Sequence, residues 1–254
     1  MTLDSLNRWK AAGIHLCLSA LIAATVVVVM LAVWYPRPYF DAMSGQTLLA
    51  LIVGVDVTLG PFLTLLVFEL KNKTLKALKF DLAVIATCQV AALAYGVWVT
   101  YEARPVYTAF VKDRFDVVAA NEIDPNDLAA GPSEYRTLSL TGPRLIGVRL
   151  PTDPKELSDL IFKGLAGKDA QDFPKYYVPY ADVTAEVIGH AKPMATLIEK
   201  YPDAQAPAEA LAARLGRSQN DLGIVPLHGR DRFMTAVIDM RNGAIAGFLP
   251  FDPS

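Results

Sequence analysis

The sequence predicts an α+β protein, in which three transmembrane helices precede a water-soluble α+β domain with a mostly antiparallel sheet. Three observations carry that prediction. Apolar residues make up 53% of the 254, with a mean hydropathy of +0.30. Charge is uneven: residues 103–254 hold 17 of the 24 Lys and Arg and 20 of the 26 Asp and Glu. The front of the chain carries three apolar runs, each long enough to cross a hydrocarbon core of about 30 Å. The back reads as a soluble, mildly acidic domain. A mildly acidic soluble part argues against a nucleic-acid partner, which needs a broad basic face.

Residues 1–13 form a short N-terminus containing Arg8 and Lys10. The first run is Ile14 to Tyr35, the second Leu48 to Leu70, and the third Leu82 to Tyr101. None carries the polar stripe of a soluble amphipathic helix. Basic residues set the direction. Lys71, Lys73, Lys76 and Lys79 lie between the second and third runs, whereas the first loop has only Arg37. The N-terminus and the second loop are therefore cytoplasmic, and everything after residue 102 lies on the far side. Trp9, Trp34, Tyr35 and Trp98 are the expected membrane-interface anchors. The first run is too long for a signal-peptide core and ends in Trp34-Tyr35-Pro36, which is unsuited to cleavage. It is read as retained, giving a membrane domain over 14–102 and a soluble domain over 103–254. Cys17 and Cys88 fall in apolar runs and are read as small hydrophobes.

In the soluble domain, Val106–Phe110 and Phe115–Ala119 read as a hairpin. Pro125–Ser133 reads as a loop or short helix and Leu145–Leu150 as a strand. Asp153 caps a helix over Pro154–Leu165. Phe173–Tyr180 carries two prolines and reads as irregular. Helices follow at Met194–Lys200 and Pro207–Leu215. Three strands close the chain, the last two joined by the hairpin signal Asn242-Gly243. Strands at both ends with helices between them give the α+β class.

Asp56 is the most costly residue, a carboxylate inside an apolar run. It lies about 12 Å below the outer end of its span. Gln89 reaches a comparable depth on the third run. Three readings stay open: a protonated Asp56 bonded to Gln89 or Thr58, recognition of a polar group on another membrane helix, or a proton relay. Gly54, Gly60 and Pro61 form a second feature. Pro61 frees a backbone carbonyl near Val57, and the glycines permit close helix approach, either within the bundle or to a partner. Tyr176, Tyr177 and Tyr180 form a Tyr- and Pro-rich stretch that suits a contact surface or a capped connecting loop. His15 reads as a group near the cytoplasmic interface. His190 and His228 read as loop residues. No metal-ligand spacing, P-loop, dinucleotide or nucleophile-elbow motif is present, so no metal, cofactor or catalytic site is expected.

These residues together resemble a known family. Arg8-Trp9-Lys10-Ala11-Ala12-Gly13-Ile14-His15, Trp34-Tyr35-Pro36, Val53-Gly54-Val55-Asp56-Val57-Thr58-Leu59-Gly60-Pro61, Leu78-Lys79-Phe80-Asp81-Leu82-Ala83-Val84, Ala103-Arg104-Pro105-Val106-Tyr107 and Asp113-Arg114-Phe115 occur in the order seen in the type IV pilin accessory proteins, the TfpX and TfpZ family. Pro174-x-x-Tyr177-x-Pro179-Tyr180 is similar too. Where that family often ends in Asp-Pro-Trp, this chain has Asp252-Pro253-Ser254, so no role for a terminal aromatic carries over. The resemblance implies a bacterial inner-membrane protein with a periplasmic domain. It would be non-enzymatic, bind a cognate major type IV pilin, and support pilus assembly, pilin stability or pilus display. Inner-membrane assembly components and the lipid bilayer are the further partners implied. A pilin-modifying glycan transferase and a membrane sensor with a periplasmic input are the competing readings.

Overall fold

The computed structural model describes residues 8–54, 57–58, 60–69 and 75–254. Asp56 lies outside them. The chain divides into two compact units, one of residues 1–34 and 45–102, the other of residues 35–44 and 103–254.

In the first unit, α1 (Arg8–Val29) runs on through a π-helical turn, Met30–Trp34. A short helix, α2 (Tyr39–Ala42), belongs to the other unit. Then come α3 (Gly45–Gly54), α4 (Gly60–Glu69) and α5 (Leu75–Glu102). Among the described residues, two helices, Trp9–Trp34 and Lys76–Glu102, are long and apolar enough to cross a membrane. The expected second span, 48–70, is not one of them: its described parts are α3 and α4, ten residues each, and a π-helical pair at 57–58 between them. Pro61 has no N–H to donate and its ring crowds the carbonyl four residues back, which favours a helix start at this point. As the second residue of α4 it does no harm, because that N–H would have no partner anyway. α4 packs on α1 and α5, and α3 packs on the same pair. Hydroxyls in the long helices bond backward along their own chain. Thr25 Oγ1 donates to Leu21 O at 3.0 Å and Thr100 Oγ1 to Gly96 O at 2.9 Å. This hides the hydroxyl from an apolar surround.

The second unit is built on one mixed sheet. β1 (Pro105–Val111) and β2 (Arg114–Ala119) form the expected hairpin, with Lys112 at φ +56° in its turn. α6 (Pro125–Ala130) is capped by Asp124, whose carboxylate accepts from Asn126 N at 2.8 Å. β3 (Arg144–Val148) follows, and then α7 (Pro154–Leu165). Next are β4 (Tyr177–Pro179), α8 (Thr184–His190), β5 (Lys192–Pro193), α9 (Met194–Lys200) and α10 (Gln205–Leu215). β6 (Leu222–His228), β7 (Phe233–Asp239) and β8 (Ile245–Leu249) close the unit. The strand order is β4-β3-β1-β2-β6-β7-β8, with β5 pairing β6. The β1–β3 and β2–β6 pairs are parallel and the others antiparallel. The β2–β6 pairing spans only Phe115–Leu227 and Asp116–His228, so it forms a seam between two half-sheets. Each half has its own core. Tyr107, Ile146, Phe173 and Tyr177 anchor one, and Leu197, Leu222, Ile224 and Val237 the other.

Residues 35–44, expected as a loop of the membrane domain, are knitted into this sheet unit. Tyr35 and Ala42 are fully buried and Met43 nearly so. Thr108 Oγ1 donates to Tyr39 Oη at 2.9 Å, and the Tyr39 ring meets Phe248 edge-on at 6.0 Å.

Helix α7 begins where the capping signal predicts. The Asp153 carboxylate accepts from Glu156 N at 2.9 Å. Leu160 is the sole side chain of α7 that is fully buried, so the helix leans on its cap. Asp153→Ala is expected to cost about 1 kcal/mol. Thermal melts of the detergent-solubilised protein measure it, and an unchanged midpoint would mean the cap is idle.

Candidate functional site

Within the apolar unit, the interrupted segment meets a small polar group. Gly60 is buried, and a Cβ placed on it would fall 1.9 Å from Gln89 Nε2 and 2.9 Å from His15 Nε2. Gly60 therefore holds the start of α4 against both α1 and α5. One turn further, His15 Nδ1 lies 2.6 Å from the hydroxyl of Thr64, which is itself buried. His15 is thus not a free interfacial group; it bridges α1 and α4. A shallow hollow of about 110 Å³ beside it is lined by His15, Ser19, Gln89 and apolar neighbours. The proposed partnership of Gln89 with Asp56 falls outside the described residues. Gly54 behaves differently from Gly60: no described atom lies within 4 Å of a Cβ built there. So Gly60 serves packing within the chain, whereas Gly54 leaves room at the end of α3.

The expected interface anchors divide. Trp9 and Trp98 are exposed. Trp34 is half-buried against Tyr101, with ring centroids 5.5 Å apart. Tyr35 is fully buried in the sheet unit and cannot sit in lipid. That corrects its assignment as an anchor: the hydrophobic core outcompetes the interface for a large ring.

The Tyr-rich stretch is mostly structural. Tyr177 is 3% exposed and stacks edge-on against Tyr107 and Tyr135, at 5.0 and 5.6 Å. Its hydroxyl donates to Gln171 O, and burial raises its pKa far above the usual phenol range. The expected contact role for Tyr177 is thereby corrected; it is a core residue. Tyr180 Oη donates to Gly243 O at 2.6 Å and pins this stretch to the β7–β8 turn, with its pKa pushed up to about 12 by burial. Tyr176 is half-buried and donates to Glu156 Oε1 at 3.0 Å. Lys175 also bonds Glu156 and lies 4.6 Å from the Tyr176 ring centroid. Hydrogen bonds from Lys175 and then Tyr176 hold the Glu156 carboxyl below its usual range. Lys175 and Pro179 are the exposed members of the stretch.

Titratable groups gather instead at the sheet seam, where sequence reasoning found nothing. Asp116, 7% exposed, accepts from Arg114 Nε at 3.2 Å on each carboxylate oxygen, and His228 Nδ1 lies 3.6 Å away. Burial raises the Asp116 pKa against the pull of Arg114, and lowers that of His228 against the pull of Asp116. Arg230 pairs with Glu122 at 3.0 Å. Asp116, His228, Arg230 and Glu122, with Asp169 and Asp172, line a polar hollow of about 340 Å³. No local pattern marks it, because Asp116 and His228 lie far apart in sequence and are joined only by the parallel β2–β6 pairing.

Asp172 in that hollow is 8% exposed, and burial lifts its carboxyl to about 6, opposed by the Asp169 N–H it accepts. A folded-state pKa above the unfolded value means that ionisation destabilises. The penalty is absent below about pH 4, grows between 4 and 6, and is full above 6, on the order of 2–3 kcal/mol. Asp172→Asn keeps an acceptor for the Asp169 N–H. It is expected to raise the melting midpoint at pH 7.5 and to match the native protein at pH 4. A variant equally shifted at both pH values would sink this account.

Comparisons with known proteins add the last observation. Residues 4–45 match the model of the fimbrial assembly protein FimB. The fimbrial assembly protein of serogroup I from Dichelobacter nodosus is 35% identical over 188 residues, covering 73% of this chain and 72% of that protein. The serogroup E1 protein of the same organism is 33% identical over 193 residues, 75% and 74% of the two chains. That of serogroups C1 and C2 is 39% identical over 116 residues, 45% of this chain and 86% of the relative. No solved structure gives a significant match.

Proposed function

This chain belongs to the fimbrial assembly protein family, and on that premise we propose that it is an inner-membrane accessory protein that binds a cognate type IV pilin and supports pilus assembly without catalysing a reaction. Its N-terminus is cytoplasmic and its sheet unit periplasmic. One observation carries the arrangement: residues 35–44 fold into the same unit as residues 103–254. Segments of one folded unit share one side of a membrane. If α5 crosses once, the α3–α4 segment must cross back, or the two segments could not meet. Residues 45–69 number 25, which is long enough to cross a ~30 Å core. Backbone groups freed at a proline inside a bilayer are tolerated where protein covers them, and α1 and α5 flank both α3 and α4.

An accessory protein of this kind offers two surfaces to a pilin. Phe62 and Leu66 on α4 are exposed apolar residues, and Gly54 leaves space beside α3. Asp56 remains the candidate for reading a polar group on the partner helix, with Tyr176 and Tyr180 at the edge of the outer surface.

The test is in-cell photo-crosslinking from Phe62 and from Lys175, with the intact mass of the pilin measured with and without this protein. Crosslinks to the major pilin, an unchanged pilin mass and fewer pili on deletion are the expected results. A pilin mass that falls on deletion would replace this reading with a modifying enzyme. Normal piliation and no pilus-related crosslink would overturn it outright.

A further inference from the structure

Two points of the sheet unit lie next to the ends of the long apolar helices. Pro36 follows Trp34 by two residues, and Arg104 follows Glu102 by two, so each lies within about 8 Å of its helix end by the 3.8 Å Cα spacing. A single loop touches both. Arg104 Nε donates to Ser139 O at 3.1 Å, and the guanidinium-bearing residue is itself buried. Gly142, at φ +83°, packs against Pro36, with a Cβ built on it 3.0 Å from Pro36 Cγ. Between these two fixed points stands Leu140, 57% exposed. Leu145 at the start of β3 is also exposed.

The charges around the loop are cationic. Arg37, Arg136 and Arg144 are exposed, and residues 131–145 contain one acid, Glu134. Arg144 is held in place: Nη1 donates to Glu134 O at 2.7 Å and the guanidinium lies 5.3 Å from the Tyr135 ring centroid. The Tyr107 hydroxyl also hydrogen-bonds this guanidinium, which leaves the remainder of its five donors for other acceptors at the surface. An exposed leucine beside fixed arginines is the pattern of an interfacial lipid contact, with the apolar tip below the phosphates and the cations among them.

We propose that the 139–145 loop is a lipid anchor, in which Leu140 enters the headgroup–acyl boundary of the outer leaflet and Arg144 and Arg37 bind lipid phosphates. This rests on the reading that α1 and α5 cross the bilayer.

The experiment uses the full chain in nanodiscs containing anionic phospholipid, with Cys17 and Cys88 replaced by Ser. An environment-sensitive fluorophore is placed in turn at Leu140→Cys, at Val90→Cys on α5 and at Ala210→Cys on α10. All three native side chains are exposed, so labelling spares the core. Quenching by lipids carrying a nitroxide near the headgroup is the readout. The expected result is quenching and a blue-shifted emission at 140, deeper-lipid quenching at 90, and neither at 210. Arg144→Glu should then weaken quenching at 140 and leave position 90 unchanged. Position 90 quenched with 140 behaving like 210 would overturn the anchor and spare the spanning reading. Position 90 unquenched would overturn both.

Discussion

Gly229→Val is expected to be among the most damaging single substitutions in the sheet unit. A Cβ on Gly229 would fall 2.2 Å from the carbonyl oxygen of Ala42 and 2.6 Å from its carbon. These are backbone atoms of a fully buried residue, so no side chain can swing aside. Overpacking of this kind costs about 3 kcal/mol or more. The clash falls where residues 35–44 enter the sheet unit, so the loss should show first as protease cleavage in that segment. A lower melting midpoint and reduced accumulation in membranes should follow. Gly189→Ala on α8 is the matched control, because nothing lies within 4 Å of the added carbon. Equal behaviour of the two variants would mean that 35–44 does not depend on this contact.

Tyr177→Ala is expected to destabilise by 3–5 kcal/mol, roughly the cost of removing a buried aromatic ring. It empties the space between Tyr107 and Tyr135 and removes the hydroxyl that bonds Gln171 O. Tyr177→Phe keeps the ring and should lose only about 1 kcal/mol for the hydrogen bond. The pair separates packing from partner recognition. A contact residue would give the opposite order of interest: a stable Tyr177→Ala protein that fails to support pili. Melts of both variants and a count of surface pili decide between them.

Local signals in the sequence foretold local structure well. Asp153 and Pro154 mark the start of α7, and the helix ends at Leu165 as the apolar period predicts. Met194–Lys200 is helical over the predicted range, and Asn242-Gly243 turns β7 into β8, with Gly243 at φ +68°. Each of these depends on side chain and backbone within a few residues. The start of α4 at Gly60-Pro61 depends on the same short range. The site residues fared differently. Tyr177 was noticed for its composition, and composition cannot tell a core ring from a surface one.

By itself, the sequence determined the contrast between an apolar front and a charge-rich back, the caps and turns of the sheet unit, and the family. Those follow from composition, short-range periodicity and the order of motifs. The tertiary structure alone decided that residues 35–44 belong to the sheet unit, that Gly60 packs against His15 and Gln89, and that Asp116 meets His228 at a seam. Each of these joins residues distant in sequence. Their free energy comes from burial and close approach in three dimensions, and that leaves no periodic or local trace in the chain.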